Sequence, residues 1–249
     1  MEFCLVNGEA ATFLLEEECY SGVAKIAEKV CGDVELVTGI RPVTRRISKT
    51  YLDEQKESEY VVLVGTVGKS SVLEKLNGRV PLDKIRGKRE SFLFQIVDNG
   101  TKATLVIAGS DKRGTIYGLF HLSEYMGVSP WVHFSDVLPE KRKKLTLTEK
   151  DNMISREPSV KYRGFFINDE WPAFGSWTFE HFGGFTEEMY DLIFETLLRL
   201  KGNYLWPAMW TSSFSLDGPG DANARLADEY GIMMSNSHHE LSLIHISEP

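Results

Sequence analysis

Two spacings of apolar residues predict strands and a helix at the start of the chain. Short apolar runs at Thr12–Leu15 and Tyr60–Val64 predict strands, and the second has the continuous apolar character of a strand buried on both faces. Ser21 is predicted to cap a helix that ends at Gly39. Between these two residues the apolar positions recur at helical spacing: Val23, Ile26, Ala27, Val30, Val34 and Val37.

A hairpin and a second helix follow. Ser91–Val97 and Thr104–Ala108 flank the turn sequence Asp98-Asn99-Gly100, which predicts a hairpin because Asn-Gly tolerates positive φ. Asp111–Met126 has the apolar spacing of a helix, and Trp131–Phe134 is predicted as a closing strand.

The second half of the chain has a strand–helix–strand rhythm. The predicted elements are a strand at Tyr162–Ile167, a helix at Thr186–Lys201, a strand at Tyr204–Trp206, a helix at Asp221–Tyr230 and a strand at Ile232–Met234. Such a rhythm is typical of parallel strands that lie side by side, with ligands bound beyond their carboxyl ends. We therefore expect the polar residues after these strands to meet at one mouth.

The fold class is therefore α/β, with two domains. The segment Leu138–Arg156 is polar and highly charged, so we place the boundary there: an N-terminal mixed α/β domain at 1–150 and a second domain at 151–240. The basic run Lys141–Lys144 within this segment indicates a solvated linker.

Composition and charge exclude several classes of protein. The net charge of −8 over 249 residues argues against a general nucleic-acid binder, and no apolar run is long enough to span a membrane. Three cysteines, Cys4, Cys19 and Cys31, are too few and too close to the N-terminus for a disulfide framework. Because no signal-peptide pattern is present, we expect cytoplasmic residence, with a secreted or periplasmic location left open.

Two glycine-containing segments invite a phosphate-binding hypothesis. Gly65–Ser70 lacks the first glycine of the phosphate-binding loop pattern, because position 63 is Leu63, so a turn after a strand is favoured. Gly109–Gly118 has the sequence of a strand-to-helix junction, which fits either an anion bound at the helix N-terminus or close packing of the helix on the sheet.

Carboxylates and aromatics at strand ends are the candidate binding residues. Asp169 and Glu170 follow a predicted strand and precede Trp171, and acids beside aromatic rings are typical of a sugar-binding site. Trp206 and Trp210 flank Pro207 at the end of the next strand; a buried core is the default for such a run, and stacking on a sugar face is the alternative.

The segment His238-His239-Glu240 invites a metal hypothesis. The zinc-protease motif requires a histidine where this chain has Leu243, and adjacent histidines on an extended segment point to opposite sides. Hydrogen bonding to a substrate hydroxyl or carboxylate is therefore favoured over metal binding, with a core histidine as the remaining alternative.

Taken together, these segments resemble glycoside hydrolase family 115. The resemblance is carried by R-G-F-F-I-N-D-E, L-L-R-L-K-G-N-Y-L-W-P-A-M-W, A-D-E-Y-G-I and S-H-H-E within Tyr162–Glu240. Characterised members are α-glucuronidases that act on glucuronoxylan. V-T-G-I-R-P around Gly39 and the segment Gly109–Gly118 resemble the N-terminal domain of that family, which also precedes the barrel in other exo-acting glycosidases.

The resemblance implies a fold and a reaction. The second domain would be the first βα units of a truncated (β/α)8 barrel, with Asp169 and His238 in the pocket and the Trp206/Trp210 segment in its wall. Glucuronic acid, or its 4-O-methyl ether, would be released with inversion from glucuronoxylan or aldouronic oligosaccharides. No metal or cofactor is implied, no nucleic-acid or membrane partner is expected, and a homodimeric parent is a hypothesis.

The chain is shorter than family members by several hundred residues. The glutamate regarded as the general acid of the family is expected beyond residue 249, so the catalytic residues stay unknown and the fragment is expected to be inactive. Residues 241–249, LSLIHISEP, resemble translated sequencing-adaptor sequence. The alternatives are another exo-glycosidase that shares both domains, of hexosaminidase type, or a non-catalytic carbohydrate-binding fragment.

Overall fold

The computed structural model describes residues 1–51, 59–98, 100, 102–207 and 212–235. The chain divides into two compact units, Met1–Ser159 and Val160–Pro249. This division lies beyond the predicted boundary at residue 150, because part of the polar segment returns to the sheets of the first unit.

The first unit contains nine described strands and three described α-helices. The strands are β1 (Glu2–Asn7), β2 (Glu9–Ala10), β3 (Thr12–Glu16), β4 (Thr44–Ile47), β5 (Val61–Thr66), β6 (Phe92–Asp98), β7 (Ala103–Gly109), β8 (Lys144–Thr148) and β9 (Met153–Ile154). The helices are α1 (Ser21–Thr38), α2 (Ser71–Glu74) and α3 (Lys112–Tyr125), and short 3-10 turns lie at Leu82–Lys84 and Glu149–Asp151.

A six-stranded sheet forms the centre of this unit, in the order β4-β3-β5-β7-β6-β9. Strands β4, β3, β5 and β7 are parallel, whereas β6 and β9 extend the sheet antiparallel. β5 is buried along its whole length, as its continuous apolar sequence predicts for a strand covered on both faces. A smaller antiparallel sheet, β2-β1-β8, completes the unit.

Helix α1 confirms the periodicity prediction. It ends at Gly39, which adopts a left-handed conformation with φ of 78° and donates its N–H to Glu35 O. The prediction that Ser21 caps the helix is wrong. Ser21 is the first helical residue, the capping position is Tyr20, and no side chain caps the N-terminus.

The hairpin is also confirmed. β6 and β7 pair antiparallel with Asp98 opposite Ala103, and Gly100 in the turn has φ of 89°. Asn99 lies outside the described residues.

The predicted closing strand at Trp131–Phe134 is wrong. These residues form a turn in which Phe134 N and Ser135 N both donate to Trp131 O at 2.9 Å. The aromatic sequence predicted a strand, but local hydrogen bonds satisfy the backbone. β8 pairs with β1 and β9 with β6 instead.

The junction between β7 and α3 has the close packing that was one of its two interpretations. A Cβ on Gly109 would lie 2.0 Å from Thr115 N, and one on Gly114 would lie 2.3 Å from Ser91 O. The side chain of Asp111 occupies the helix N-terminus and accepts the N–H of Gly114 at 2.7 Å. The glycines therefore allow the helix to approach the sheet.

Within Gly65–Ser70, Gly65 and Thr66 end β5, and residues 67–69 form the expected turn after the strand. The place that a phosphate would take at the start of α2 is held by the buried carboxylate of Glu16. Its oxygens accept from Ser71 N at 3.1 Å, from Val72 N at 3.2 Å and from the hydroxyl of Ser70. An internal anion thus already stabilises these amides.

The cysteines are free, as the sparse set of three predicts. Burial raises the pKa of the Cys31 thiol to about 12, so this side chain behaves as a packed apolar group. Within the described part of the chain, no helix is both long enough and apolar enough to cross a membrane.

The second unit contains three described strands and three described helices. They are β10 (Gly164–Phe166), α4 (Phe174–Phe182), α5 (Glu187–Arg199), β11 (Tyr204–Trp206), α6 (Ala222–Tyr230) and β12 (Met233–Met234). α4 was not predicted, because an aromatic-rich sequence with little polar periodicity hides its helical spacing.

The three strands confirm the prediction that they lie side by side and point the same way. β11 is central, with Gly164 opposite Tyr204 in β10 and Met233 opposite Tyr204 in β12, and both pairings are parallel. The mixed α/β class is thereby confirmed, while the truncated (β/α)8 barrel stays a prediction.

One buried side chain ties the starts of these strands together. Asn203 is 1% exposed; its Oδ1 accepts from Arg163 N at 2.9 Å and its Nδ2 donates to Lys161 O at 2.8 Å. On its other side, Asn203 O accepts from Met233 N at 2.8 Å. A single residue before β11 therefore bonds to both neighbouring strands.

Helices α5 and α6 pack together through buried aromatic rings. Tyr190, Phe194 and Tyr230 are fully buried, and the hydroxyl of Tyr230 donates to Asp191 Oδ1 at 2.5 Å. Burial and the nearby Asp191 carboxylate raise the pKa of Tyr230 above its ordinary value, so its hydroxyl stays protonated and donates to Asp191 at neutral pH.

We expect that Asn203→Ala lowers the free energy of unfolding of the second unit by about 2 kcal/mol, because the buried amide is removed and two part-buried backbone groups lose their partners. Urea unfolding followed by tryptophan fluorescence measures this, since four of the five tryptophans lie in the second unit. The control Asn7→Ala, at an exposed residue, should change stability by less than about 0.5 kcal/mol. Equal effects of the two variants would contradict the role of Asn203.

Candidate functional site

The carboxyl ends of β10, β11 and β12 meet at one edge of the small parallel sheet. Ile167 N donates to Trp206 O at 2.9 Å and Ser235 N donates to Leu205 O at 3.1 Å, so the ladder continues past the strands. The loops that leave this edge are those from which parallel α/β folds build binding sites.

Asp169 lies in the first of these loops and is fully buried. Its Oδ2 accepts the backbone N–H of Ser212 at 3.1 Å, a residue 43 positions further along the chain. Glu170 is exposed, and its Oε2 accepts from Asn168 Nδ2 at 2.9 Å. The two adjacent acids therefore have different environments, one internal and one facing solvent.

Asp217 is a second acid beside Asp169 that the sequence pattern does not reveal. Ser212 joins the two acids, because its N–H donates to Asp169 while its hydroxyl donates to Asp217. Burial raises the pKa of Asp217, the hydrogen bonds from Ser212 and Ser213 oppose this shift, and the charge of Asp169 adds to it. The arrangement is a pair of interacting carboxyl groups.

Asn223 holds the loop that carries Asp217. Asn223 is 2% exposed, and its Nδ2 donates to Phe185 O at 3.1 Å, to Phe214 O at 3.0 Å and to Asp217 O. One amide group thus ties the start of α6 to two separate loops. Asp217 stands in a Gly- and Pro-containing loop, where no periodic signal marks a functional acid.

Trp206 ends β11 with its side chain on the face shared with Phe166. Their rings meet edge to face at 5.5 Å, and they are 43% and 41% exposed. Trp206 is therefore accessible to a ligand, in contrast to the buried Asp169.

The remaining predicted site residues, Trp210, His238, His239 and Glu240, lie outside the described residues. Among the residues that the structure describes, no three His, Cys, Asp or Glu side chains lie close enough to hold a metal ion.

The stability of Asp217→Asn relative to the natural chain should rise between about pH 4 and neutrality. The folded state keeps the Asp217 proton to higher pH than the unfolded chain, so ionised Asp217 reduces stability above its ordinary pKa and has no effect below it. Urea unfolding at several pH values tests this.

Asp221→Asn is the matched control with the opposite sign. The hydrogen bond from Arg225 lowers the pKa of Asp221, so this carboxylate contributes stability above its ordinary pKa that is lost as the pH falls. A parallel trend for the two variants would contradict the environment assigned to Asp217.

Both units of the chain are similar in sequence to families of carbohydrate-active enzymes. The sequence profile of Glycosyl hydrolase family 115 matches residues 155–248, and that of the Glycosyl hydrolase family 67 N-terminus matches residues 24–122. The first match extends to residue 248, and an adaptor origin of residues 241–249 stays a prediction. No curated protein matches the chain.

Two solved structures are similar to the chain. A family 115 4-O-methyl-α-glucuronidase with specificity for decorated arabinogalactans is 30% identical with a TM-score of 0.79, covering 95% of this chain and 30% of that one. A family 138 enzyme targeting pectin rhamnogalacturonan II is 13% identical with a TM-score of 0.43, covering 90% of this chain and 24% of that one.

The chain therefore spans about a third of the length of the family 115 structure that it matches. The recognition made from sequence motifs is confirmed: this chain carries a segment of glycoside hydrolase family 115, preceded by a domain like the N-terminus of family 67.

Proposed function

We propose that the chain is part of an enzyme that releases glucuronic acid, or its 4-O-methyl ether, from glucuronoxylan side chains. The observation that carries the proposal is the parallel pairing of β10, β11 and β12. Asp169 follows β10 in the sequence, Trp206 is the last residue of β11, and His238 follows β12. These residues lie within the match to family 115.

The similar solved structure supports the proposed identity of the released uronic acid more strongly than the proposed identity of the polysaccharide. That enzyme is described as a 4-O-methyl-α-glucuronidase with specificity for decorated arabinogalactans. The leaving uronic acid is thus common to both possibilities, whereas xylan and arabinogalactan differ in the backbone that carries it. Binding measurements with both backbones separate the two.

The proposed binding residues are Asp169, Glu170, Trp206, Trp210, His238, His239 and Glu240. Inversion at the anomeric carbon needs a protonated acid on one side of the sugar and a base that activates water on the other. Asp169 is proposed to bind sugar hydroxyls, and this role requires its carboxylate to reach the ligand. Because Asp169 is fully buried, binding measurements on a variant of this residue are the most direct test of whether its carboxylate contacts the sugar.

Two other functions remain as alternatives. A hexosaminidase-type enzyme would share the N-terminal domain, since the family 67 match shows that such a domain is not confined to family 115. A non-catalytic carbohydrate-binding protein would bind sugar without turnover. Each predicts a different ligand or a different outcome in the experiments that follow.

Glucuronic acid should bind to the chain with saturable heat in titration calorimetry, and N-acetylglucosamine should not. Asp169→Asn should weaken this binding at least about tenfold, because a site built to hydrogen-bond a hydroxyl discriminates strongly when one acceptor is altered. Asparagine keeps an oxygen for the N–H of Ser212, so the fold is preserved.

Asp221→Asn, at an exposed aspartate beside α6, is the control and should leave the affinity unchanged. Preferential binding of N-acetylglucosamine would favour the hexosaminidase alternative. An unchanged affinity of Asp169→Asn would restrict Asp169 to holding the backbone of Ser212.

The chain alone should release no uronic acid from aldouronic oligosaccharides. The described residues of its second unit supply three parallel strands and, at their edge, a pair of acids of which Asp169 is fully buried and Asp217 half-buried. Inversion requires two carboxyl groups on opposite sides of an accessible sugar. Chromatographic detection of free uronic acid, with a complete family 115 α-glucuronidase as the positive control, measures this. Release that scales with the concentration of the chain would contradict the prediction.

A further inference from the structure

Two half-exposed aromatic side chains that contact each other form an apolar surface next to the loop that carries Asp169 and Glu170. Trp171 is 47% exposed and Phe179 is 48% exposed, and their ring centroids are 5.3 Å apart at an interplanar angle of 47°. We call this pair the Trp171–Phe179 platform. Neither residue was among the predicted binding residues.

The indole of Trp171 lies flat on helix α4. A Cβ built on Gly175 would be 2.6 Å from Cε2 and 2.8 Å from both Cδ2 and Nε1 of the indole. Cε2 is a ring-fusion atom and can be approached this closely only from above or below the ring plane. One face of the indole is therefore covered by the backbone of Gly175, and the solvent-exposed part of Trp171 lies away from this face.

Phe179 extends this surface by one helical turn. It follows Gly175 by four residues, so both lie on the same side of α4. Its ring is backed by Phe185, which is 5% exposed and lies 6.2 Å away at 77°. The platform is thus supported from below by packed groups, and its outer surface is open to solvent.

A carboxylate belongs to the residue that directly precedes the platform in the chain. Glu170 precedes Trp171 in the chain, is exposed, and has one oxygen held by Asn168 Nδ2 at 2.9 Å. The backbone oxygen of Glu170 accepts from Gly175 N at 3.3 Å, which ties this acid to the start of α4. An apolar aromatic surface with a hydrogen-bond acceptor on the adjacent residue is suited to a ligand that has an apolar face and hydroxyl groups around it.

A pyranose ring has this chemistry. Its C–H groups form an apolar face that can cover an indole, and its hydroxyls donate to carboxylates. A uronic acid fits less well at this position, because its own carboxylate would be repelled by Glu170. The charge at the platform therefore selects a neutral sugar.

We propose that the Trp171–Phe179 platform binds a neutral backbone sugar of the polysaccharide, next to the residue that carries the uronic acid. This inference rests on the proposed function, since it assigns the platform to the part of the same substrate that is not released. The ligand class is a neutral pyranose of a β-linked backbone, with xylan and galactan as its two possible sources.

The test is the binding of two uncharged probes to the full chain, xylohexaose and a β-1,3-linked galactohexaose. We expect one of them to shift the indole N–H resonance of Trp171 in a two-dimensional nitrogen–proton spectrum, in a saturable manner. Trp171→Ala should weaken that binding about tenfold, because truncation of an aromatic anchor at the centre of a contact removes most of its energy. Trp171→Phe should retain part of it.

Gly175→Ala tests the geometry without removing the indole. The new Cβ displaces the ring from the helix, so this variant should also weaken binding severalfold. Leu216→Ala is the control: Leu216 is an apolar residue of the same unit, 78% exposed, and its truncation should leave the affinity unchanged. Thermal unfolding of each variant ensures that affinities are compared between folded proteins.

The failure of this inference differs from that of the proposed function. If neither probe binds, or if Trp171→Ala and Leu216→Ala bind equally well, the platform assignment is overturned even where glucuronic acid still binds. If the neutral probe binds through Trp171 but glucuronic acid does not bind, the result supports the platform assignment and contradicts the proposed specificity for a uronic acid. Loss of neutral-sugar binding in Trp171→Ala with unchanged glucuronic acid binding supports both.

Discussion

The hydrogen bonds of Asn203 are the constraint on which the second unit depends. This one buried amide joins the starts of β10 and β11, and its backbone oxygen joins β12. Because parallel strands cannot be aligned by a tight turn, their register has to be set by such contacts and by the helices between them. With the starts aligned, the ends of the strands also lie level, so the loops that carry Asp169 and Trp206 leave from one edge.

The acids of the candidate site illustrate how that edge differs from the surface around it. Ser212 places Asp169 and Asp217 in one hydrogen-bonded unit, while Glu170, adjacent to Asp169 in sequence, faces solvent beside an aromatic surface. Neighbouring carboxyl groups thus acquire separate environments through burial and through the hydrogen bonds that each accepts. On the proposed function, the buried group would contact the uronic acid, and the exposed group with Trp171 would contact the backbone sugar.

The glycine-containing loops of the first unit do not leave an open anion-binding position at the starts of α2 and α3. Two places that could receive an anion are filled by the chain itself, by Glu16 at the start of α2 and by Asp111 at the start of α3. Its glycines serve close packing of a helix on a parallel sheet. Carboxylates of this unit therefore stabilise the N-termini of α2 and α3 internally, whereas the candidate carbohydrate-binding residues lie in the second unit.

Sequence alone determined the elements whose signals are local. Periodicity placed α1 and α5, the Asn-Gly turn placed the β6–β7 hairpin, and alternating strands and helices predicted three parallel strands. It did not reveal α4, and it assigned a strand to Trp131–Phe134, where local hydrogen bonds favour a turn. Asp217 and the outward face of Trp171 were decided by tertiary structure alone. Asp217 is a candidate because its carboxylate contacts Ser212, and Trp171 faces outward because its indole packs on Gly175. Both features depend on contacts in the folded chain, and no periodic pattern in the sequence encodes them.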